Sequence, residues 1–244
     1  QTALEALLFE KLALLEMDKK NRAIEEREKL NDLMDYYTLW AHQIKTPIAA
    51  SSLLVGEIED KKVKNQLEQE LFKIESYVNI VLQYLRLESF HEDLVLKKEN
   101  AEDLVKEIVK KYAIFFIQKG LSLSLHDLDR TIITDKKWFV VILEQVLSNS
   151  LKYTSQGGIE IYFQEDTLYI KDSGLGIQDA DLLRVFERGF SGYNGRLTQQ
   201  SSGLGLYLSK KIADELGHQI SIASQVGQGT TVMISFSEKK MIFE

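Results

Sequence analysis

The sequence predicts a two-part protein of the α plus α/β class: a long antiparallel helical hairpin followed by an α/β sandwich. Three observations predict it. Apolar residues step by three and four through the first ninety or so positions; from about Leu94 an alternation of period two sets in; and glycine pairs stand beside the regular segments of the second half.

Leu30, Leu33, Tyr37, Trp40 and Ile44 form a helical seam that continues through Ile48, Ser51, Val55 and Ile58. Charged residues then take over at Glu59-Asp60-Lys61-Lys62, which reads as a turn. A second stripe follows at Leu67, Leu71, Ile74, Val78, Val81 and Leu85. One hairpin cannot enclose its own apolar stripes, so two of them are expected to pair as a homodimer with a four-helix bundle. Upstream, residues 16–29 hold ten charged positions, five of each sign, as in a solvated helix laced by ion pairs. The expected division is a helical linker over 1–29, the dimerising hairpin over 30–93 and the sandwich over 94–244. Within the first helix, Trp40 to Ala49 holds His42 and the only proline, Pro47. Proline removes the hydrogen bond to the carbonyl four residues back, that of Gln43, at a cost of about 3 kcal/mol, and predicts a bend beside His42.

In the second half, Leu121 to Leu125 alternates with period two and reads as a half-buried strand. Asp135 is a plausible N-cap for a helix from about Lys136 to Tyr153. Ile159–Phe163 and Leu168–Asp172 form a hairpin around Glu165 and Asp166. Gly203 to Leu216 reads as a helix, and Ile220–Ala223 with Thr230–Phe236 as a last hairpin turning at Val226-Gly227-Gln228-Gly229. Helices against one mixed sheet complete the sandwich.

Composition narrows the function. A hydrophobic content of 44% with 27% charged residues is that of a globular protein. No stretch approaches 18 uncharged apolar residues, which predicts no transmembrane helix, and Glu5, Glu10 and Lys11 interrupt any signal peptide. A chain starting at Gln1 suggests a fragment of something longer. Without cysteine there is no thiolate or disulfide chemistry, and four scattered histidines argue against zinc. A net charge of -7 argues against nonspecific nucleic-acid binding.

The glycine pairs lie in Asp172-Ser-Gly-Leu-Gly after a strand, Ser202-Gly-Leu-Gly-Leu opening a helix, and Gly227-Gln-Gly-Thr in a hairpin turn. Glycines let backbone approach a ligand closely, and a helix N-terminus presents amides that favour phosphate. In this order, and preceded by Glu144-Gln-Val-Leu-Ser-Asn-Ser-Leu-Lys-Tyr-Thr, they resemble the GHKL-type ATP-binding domain shared by sensor histidine kinases, Hsp90- and MutL-type ATPases and type II topoisomerases. Phe186-Glu-Arg-Gly-Phe resembles the phenylalanine box of the histidine kinases. The resemblance covers roughly residues 94–237.

It implies ATP and Mg²⁺ as ligands. Asn149 would bind the metal through its side-chain oxygen, a hard ligand for a hard cation. Lys152 and Tyr153 share its helix face. Asp172 would accept a hydrogen bond from the adenine amine, with Gly174 and Gly176 leaving room for the base. Gly203, Leu204, Gly205 and Leu206 would hold the phosphates at a helix start, and Thr230 belongs to the same pocket. Residues 190–202 would form a mobile lid. Arg188 and Arg196 are candidates for the γ-phosphate, with a solvated surface role equally open for Arg196. Phe186 and Phe190 either pack alone or couple the lid to the helical part.

Alone, a helical histidine is more often structural than reactive. The same family places its phosphoacceptor in an upstream hairpin with the pattern His-acidic-x-x-Thr/Asn-Pro, which His42, Thr46 and Pro47 match. His42 lies off the seam of Trp40 and Ile44, so its imidazole should reach solvent. Neutral imidazole, available at cytoplasmic pH, would take the γ-phosphoryl group of ATP and pass it to an aspartate on a response-regulator receiver domain. Thr46 would orient water for the reverse signal, dephosphorylation of that regulator. Two positions depart from the pattern. Gln43 stands where the family has an acid, and an amide cannot act as a general base. Gln145 replaces an asparagine, with a small effect expected on Mg²⁺ binding.

Both departures, with Trp-x-His-Gln-Ile-Lys-Thr-Pro and Glu-Arg-Gly-Phe, look like the intramembrane-sensing, envelope-stress (bacitracin-sensor-like) kinases of Gram-positive bacteria, which often act beside an ABC transporter. The chain would then be the cytoplasmic portion of a cell-membrane protein. Two other readings stay open: a dimeric phosphatase or signalling module with weak kinase activity, and a GHKL-type ATPase clamp.

Overall fold

The structure, a computed structural model, describes residues 3–92, 94–192 and 203–236. It divides into two compact units, Gln1–Glu88 and Ser89–Glu244.

The first unit is the hairpin of α1 (Ala3–Gly56) and α2 (Lys61–Arg86). Its turn is set by Asp60, whose Oδ1 accepts from the amides of Lys62 at 2.8 Å and Val63 at 3.2 Å and so caps α2. Lys64 Nζ donates to the Gly56 carbonyl at 2.8 Å and closes the turn from the other side. Ala41, Val55 and Val78 are buried between the helices. Leu33, Leu67 and Ile74 of the expected seams remain exposed, as do Tyr36, Leu39, Leu53 and Leu54 beside them. Helix α1 runs through Pro47 as one helix.

The second unit contains two sheets where the sequence suggested one. β1 (Lys97–Asn100) and β3 (Thr131–Thr134) form an antiparallel two-stranded ribbon. Neither strand has the apolar alternation of a sheet face, and the pairing across about thirty residues makes them strands. The main sheet has the order β2-β4-β5-β7-β6, from β2 (Ser122–His126), β4 (Gly158–Gln164), β5 (Thr167–Asp172), β6 (Gln219–Gln225) and β7 (Gly229–Ser235). Only β2 and β4 pair in parallel, so the sheet is mixed as expected. One face carries Ile159, Ile161, Phe163, Leu168, Ile170, Ile220, Val232 and Ile234, all buried. On the other face His126, Tyr162 and Tyr169 occupy one cross-strand row with rings stacked at 4.9 and 5.0 Å.

Helices α3 (Ala101–Lys119), α4 (Lys136–Tyr153) and α6 (Gly205–Glu215) complete the unit, with a single turn α5 (Asp179–Leu182) between β5 and α6. α3, which the sequence reading did not assign, is capped by Asn100 and ended by Gly120 in the left-handed region at φ 63°. α4 begins where Asp135 predicts: its Oδ1 accepts from the Trp138 amide at 3.1 Å, while Oδ2 takes the Val95 amide at 2.8 Å. Two residues shorter at its start than expected, α6 opens at Gly205 because Gly203 sits at φ 67°.

His218 joins α6 to β6 and is buried against Phe139 and Phe236, with Nε2 3.0 Å from Thr134 Oγ1. Burial lowers its pKa from 6.5 to about 4. Above pH 6.5 both folded and unfolded chains hold it neutral and stability does not depend on it. Between pH 6.5 and 4 the unfolded chain takes a proton that the folded one refuses, so stability falls. The expected loss from pH 7 to pH 5 is about 2 kcal/mol in urea unfolding, and His218→Gln should flatten it.

Candidate functional site

The last turns of α4 present one stripe of half-buried polar side chains, Gln145, Asn149, Lys152 and Tyr153, beside the buried stripe of Val146, Leu147, Ser150 and Leu151. Their spacing of four, three and one keeps them on one face. The Lys152 ammonium lies over the Tyr153 ring, 4.9 Å from its centroid. At the end of the helix the Tyr153 carbonyl accepts from the Leu175 amide at 3.1 Å, which binds α4 to the first glycine loop.

Asp172 closes β5 at the root of that loop and is 6% exposed. Its Oδ1 accepts from the amides of Gly174 at 3.0 Å and Thr230 at 3.1 Å. Burial pushes the carboxyl pKa up; the Gly174 amide, the Ser150 hydroxyl and the Thr230 amide pull against that. The Thr154 hydroxyl, also buried, has no partner, and it lies beside Asp172. A desolvated carboxylate next to an orphaned hydroxyl is a polar cradle for a ligand that carries both donors and acceptors.

The glycines allow the protein's own backbone to come close at three points. A Cβ on Gly174 would lie 2.6 Å from the Tyr153 carbonyl oxygen, and one on Gly176 would lie 2.0 Å from that of Gln225. Both positions therefore require glycine for close approach of the protein's own backbone. Gly203 is similar: its Cβ would meet the Gly189 backbone at 2.5 Å, and the Gly189 amide donates to the Gly203 carbonyl at 3.0 Å. The phenylalanine-box segment and the start of α6 are thus joined backbone to backbone.

Leu204 is the N-cap of α6 and no side chain caps this helix. The amides of a first turn have no partner within their helix, so Gly205 and Leu206 open a site suited to phosphate. Gln145 reaches this point from α4, its Oε1 2.6 Å from where a Cβ on Gly205 would be. In the sequence Gln145 reads as a replacement for asparagine with a small effect on Mg²⁺ binding, and its proximity to the start of α6 is not visible there. Thr230, the second residue of β7, pairs with Asp172 across the strands.

Arg188 is exposed. The residue that grips the phenylalanine box is Arg184, which the sequence reading missed: its guanidinium lies 4.4 Å from the Phe190 ring centroid, and its Nε is 2.9 Å from Glu187 Oε2. Arg196 and most of the expected lid, residues 193–202, lie outside the described residues.

These residues fit a nucleotide and its cation. The desolvated Asp172, the uncapped α6 and the Asn149 side-chain oxygen each supply one of the chemistries needed. Among the described residues no cluster of three or more metal-ligating side chains exists. Mg²⁺ in phosphate sites commonly relies on one or two protein ligands plus the substrate's own oxygens.

In the other unit, His42, Gln43 and Thr46 stand together on α1, all exposed. The Thr46 hydroxyl donates to the His42 carbonyl at 3.2 Å, one turn back along the helix.

Residues 134–240 match the family described as "Histidine kinase-, DNA gyrase B-, and HSP90-like ATPase". The chain is 34% identical over 240 residues to the sensor histidine kinase YxdK of Bacillus subtilis, covering 95% of this chain and 73% of that protein. It is also 34% identical over 218 residues to the sensor protein BceS of Halalkalibacterium halodurans, covering 88% of this chain and 64% of that one. The solved structure of full-length ShkA in complex with AMPPNP superposes with a TM-score of 0.61 at 20% identity, covering 83% of this chain and 46% of the other. That last likeness is one of fold.

Asp172→Asn keeps an oxygen for both amides but removes the charge. It should weaken ATP binding roughly 100-fold, the scale of a hydrogen bond to a buried charged group. Thermal stability should hold or rise, because the carboxylate is costly to bury. Titration calorimetry with ATP and a thermal melt separate the two effects.

Proposed function

The chain belongs to the sensor histidine kinase family, and on that premise we propose that it autophosphorylates His42 from ATP and passes the phosphoryl group to an aspartate of a response regulator. The observation that carries the proposal is the Asp172 cradle, with its uncapped helix start at Gly205, in the same chain as an exposed histidine on a long helix.

Asp172 orients the base, and the amides at Gly205 and Leu206 with the Lys152 ammonium draw the phosphates to the other end of the pocket. Mg²⁺, when bound through Asn149, supplies charge neutralisation on the phosphates. The Nε2 lone pair of neutral His42 forms the new N–P bond while the bond from the γ-phosphorus to its bridging oxygen breaks, and ADP leaves with that electron pair. The proton on Nδ1 must then depart. Gln43 cannot take it, but His42 is exposed, so solvent is the acceptor.

Thr46 supports a second activity at the same place. Its hydroxyl proton goes to the His42 carbonyl, which leaves the oxygen as an acceptor able to hold a water for dephosphorylation of the regulator. The exposed apolar residues of the hairpin support a homodimer in which a second copy covers them. We further propose that 1–29 links to the membrane, that 30–93 carries dimerisation and His42, and that 94–244 binds nucleotide. Likeness to the sensor proteins YxdK and BceS supports a sensor role for the full-length protein; the Trp40–Pro47 and Glu187–Phe190 motifs are the ground for proposing that it is membrane-anchored and of the envelope-stress kind, with an ABC transporter as partner. Among the described residues no helix is long and apolar enough to cross a membrane.

The ATPase-clamp alternative needs an acid facing the nucleotide from α4. Glu144 is held away from that face by Lys111 of α3 at 2.6 Å, and the facing position is the amide Gln145.

Radiolabelled ATP with Mg²⁺ should leave an acid-labile label on the wild-type chain and none on His42→Ala. Label that survives in His42→Ala, or no label in the wild type, would sink the proposal. Gln43→Glu restores a base beside the imidazole and should raise the initial labelling rate by about tenfold or more.

A further inference from the structure

We propose that Lys119, at the end of α3, is a positioning residue for nucleotide binding: its ammonium fastens the last turn of α4, the turn that carries Asn149, Lys152 and Tyr153. The inference deepens the ATP-binding reading and rests on it.

The last four carbonyls of a helix have no partners within it. In α4 the Ser150 carbonyl accepts from the Thr154 amide at 3.1 Å, and that of Tyr153 from the Leu175 amide at 3.1 Å. Lys119 Nζ takes a third, donating to the Leu151 carbonyl, and at 3.1 Å it also donates to the carbonyl of the C-cap residue Thr154. The end of the helix is therefore held from two sides. The glycine loop that follows Asp172 grips Tyr153, and α3 grips Leu151 and Thr154.

The chemistry suits a lysine. A helix C-terminus carries partial negative charge, and a cation there is favourable. An ammonium has three donors on a flexible stem and can serve two carbonyls at once. The neighbouring Lys152 has its ammonium over the Tyr153 ring, so the two lysines divide the work. Lys152 lies on the stripe that faces the nucleotide, and Lys119 holds the backbone beneath it.

Without Lys119 the Leu151 and Thr154 carbonyls lose their charged donor, and the turn between Asn149 and Thr154 loosens against α3. The Tyr153–Leu175 joint then shifts the loop that positions Asp172, the group assigned to the base. Small displacements of this kind weaken binding out of proportion to their size. His42 and its attack are untouched, so affinity should change more than turnover.

The test uses the full chain as wild type, Lys119→Met and Lys119→Arg. ATP affinity is read with the fluorescent analogue TNP-ATP and by competition with ATP, and autophosphorylation gives kcat and KM. Lys119→Met should raise the ATP Kd and KM about five- to tenfold with kcat within about twofold, and Lys119→Arg should stay within about twofold of wild type. A folded Lys119→Met protein with wild-type affinity overturns the proposal. So does a Lys119→Arg protein as weak as Lys119→Met, because a charged donor would then not be what matters. If Lys119→Met does not fold, Lys119→Gln, which keeps two N–H donors on a shorter stem, takes its place; a Kd raised about threefold supports the proposal and an unchanged Kd overturns it. A wild-type chain that binds no nucleotide overturns the ATP reading itself, a result distinct from all of these.

Discussion

The buried carboxylate of Asp172 is the constraint around which the nucleotide-binding unit is arranged. Removing a carboxylate from water is costly, and the burial that raises its pKa is tolerated only because backbone amides and a hydroxyl converge on it. Those donors come from different elements: the Gly174 amide from the following loop, the Thr230 amide from β7 and the Ser150 hydroxyl from α4. Residue choice around it follows. A Cβ on Gly229 would lie 1.9 Å from the Asp172 carbonyl oxygen, and one on Gly174 would strike both the carboxylate and the end of α4. The glycines that read as a ligand signature are in the first place what allows β5, β7 and α4 to meet at one charged group.

This explains which parts of the fold were legible in the sequence. α4 announced itself because its start and its composition agree: Asp135 caps the first turn, and the apolar stripe runs unbroken to Leu151. The β4–β5 hairpin showed for a similar reason, since Glu165 and Asp166 interrupt two clean alternations. What stayed hidden depends on partners distant in the chain. β1 and β3 are strands only because they pair with each other. The stack of His126, Tyr162 and Tyr169 exists only in the register that places them opposite one another. Within the site, the motif residues could be found by spacing. Ser150, Thr154 and Arg184 could not, because a serine, a threonine and an exposed arginine carry no signal until their neighbours are known. Gln145 was visible as a departure from a pattern, yet its contact with Gly205 depends on how α4 meets α6.

The surroundings of His42 are a different kind of compromise. Pro47 leaves the Gln43 carbonyl without its helical donor, a loss that would break a short helix, yet α1 continues on both sides of it. Exposure makes this tolerable, because Gln43 is at the surface and water can satisfy the carbonyl. Thr46 adds a second bond to the turn by donating its hydroxyl to the His42 carbonyl. Helical hydrogen bonding resumes beyond Pro47, and the cost of the proline falls on the Gln43 carbonyl, which has no helical donor.

The two neighbouring polar residues of α4 bear on where the phosphoryl group goes. One step along a helix rotates a side chain by about 100°, so Glu144 and Gln145 cannot share a face. Glu144 is turned to α3, where Lys111 holds it at 2.6 Å. Gln145 is turned to the start of α6, where the phosphates are expected. An acid at that position would offer a base to an attacking water; an amide can only orient one. With no carboxylate aimed at the phosphates from α4, hydrolysis of the bound nucleotide lacks its most direct route. Under the proposed function, a pocket with no acid on that face of α4 would keep ATP intact for transfer rather than hydrolyse it.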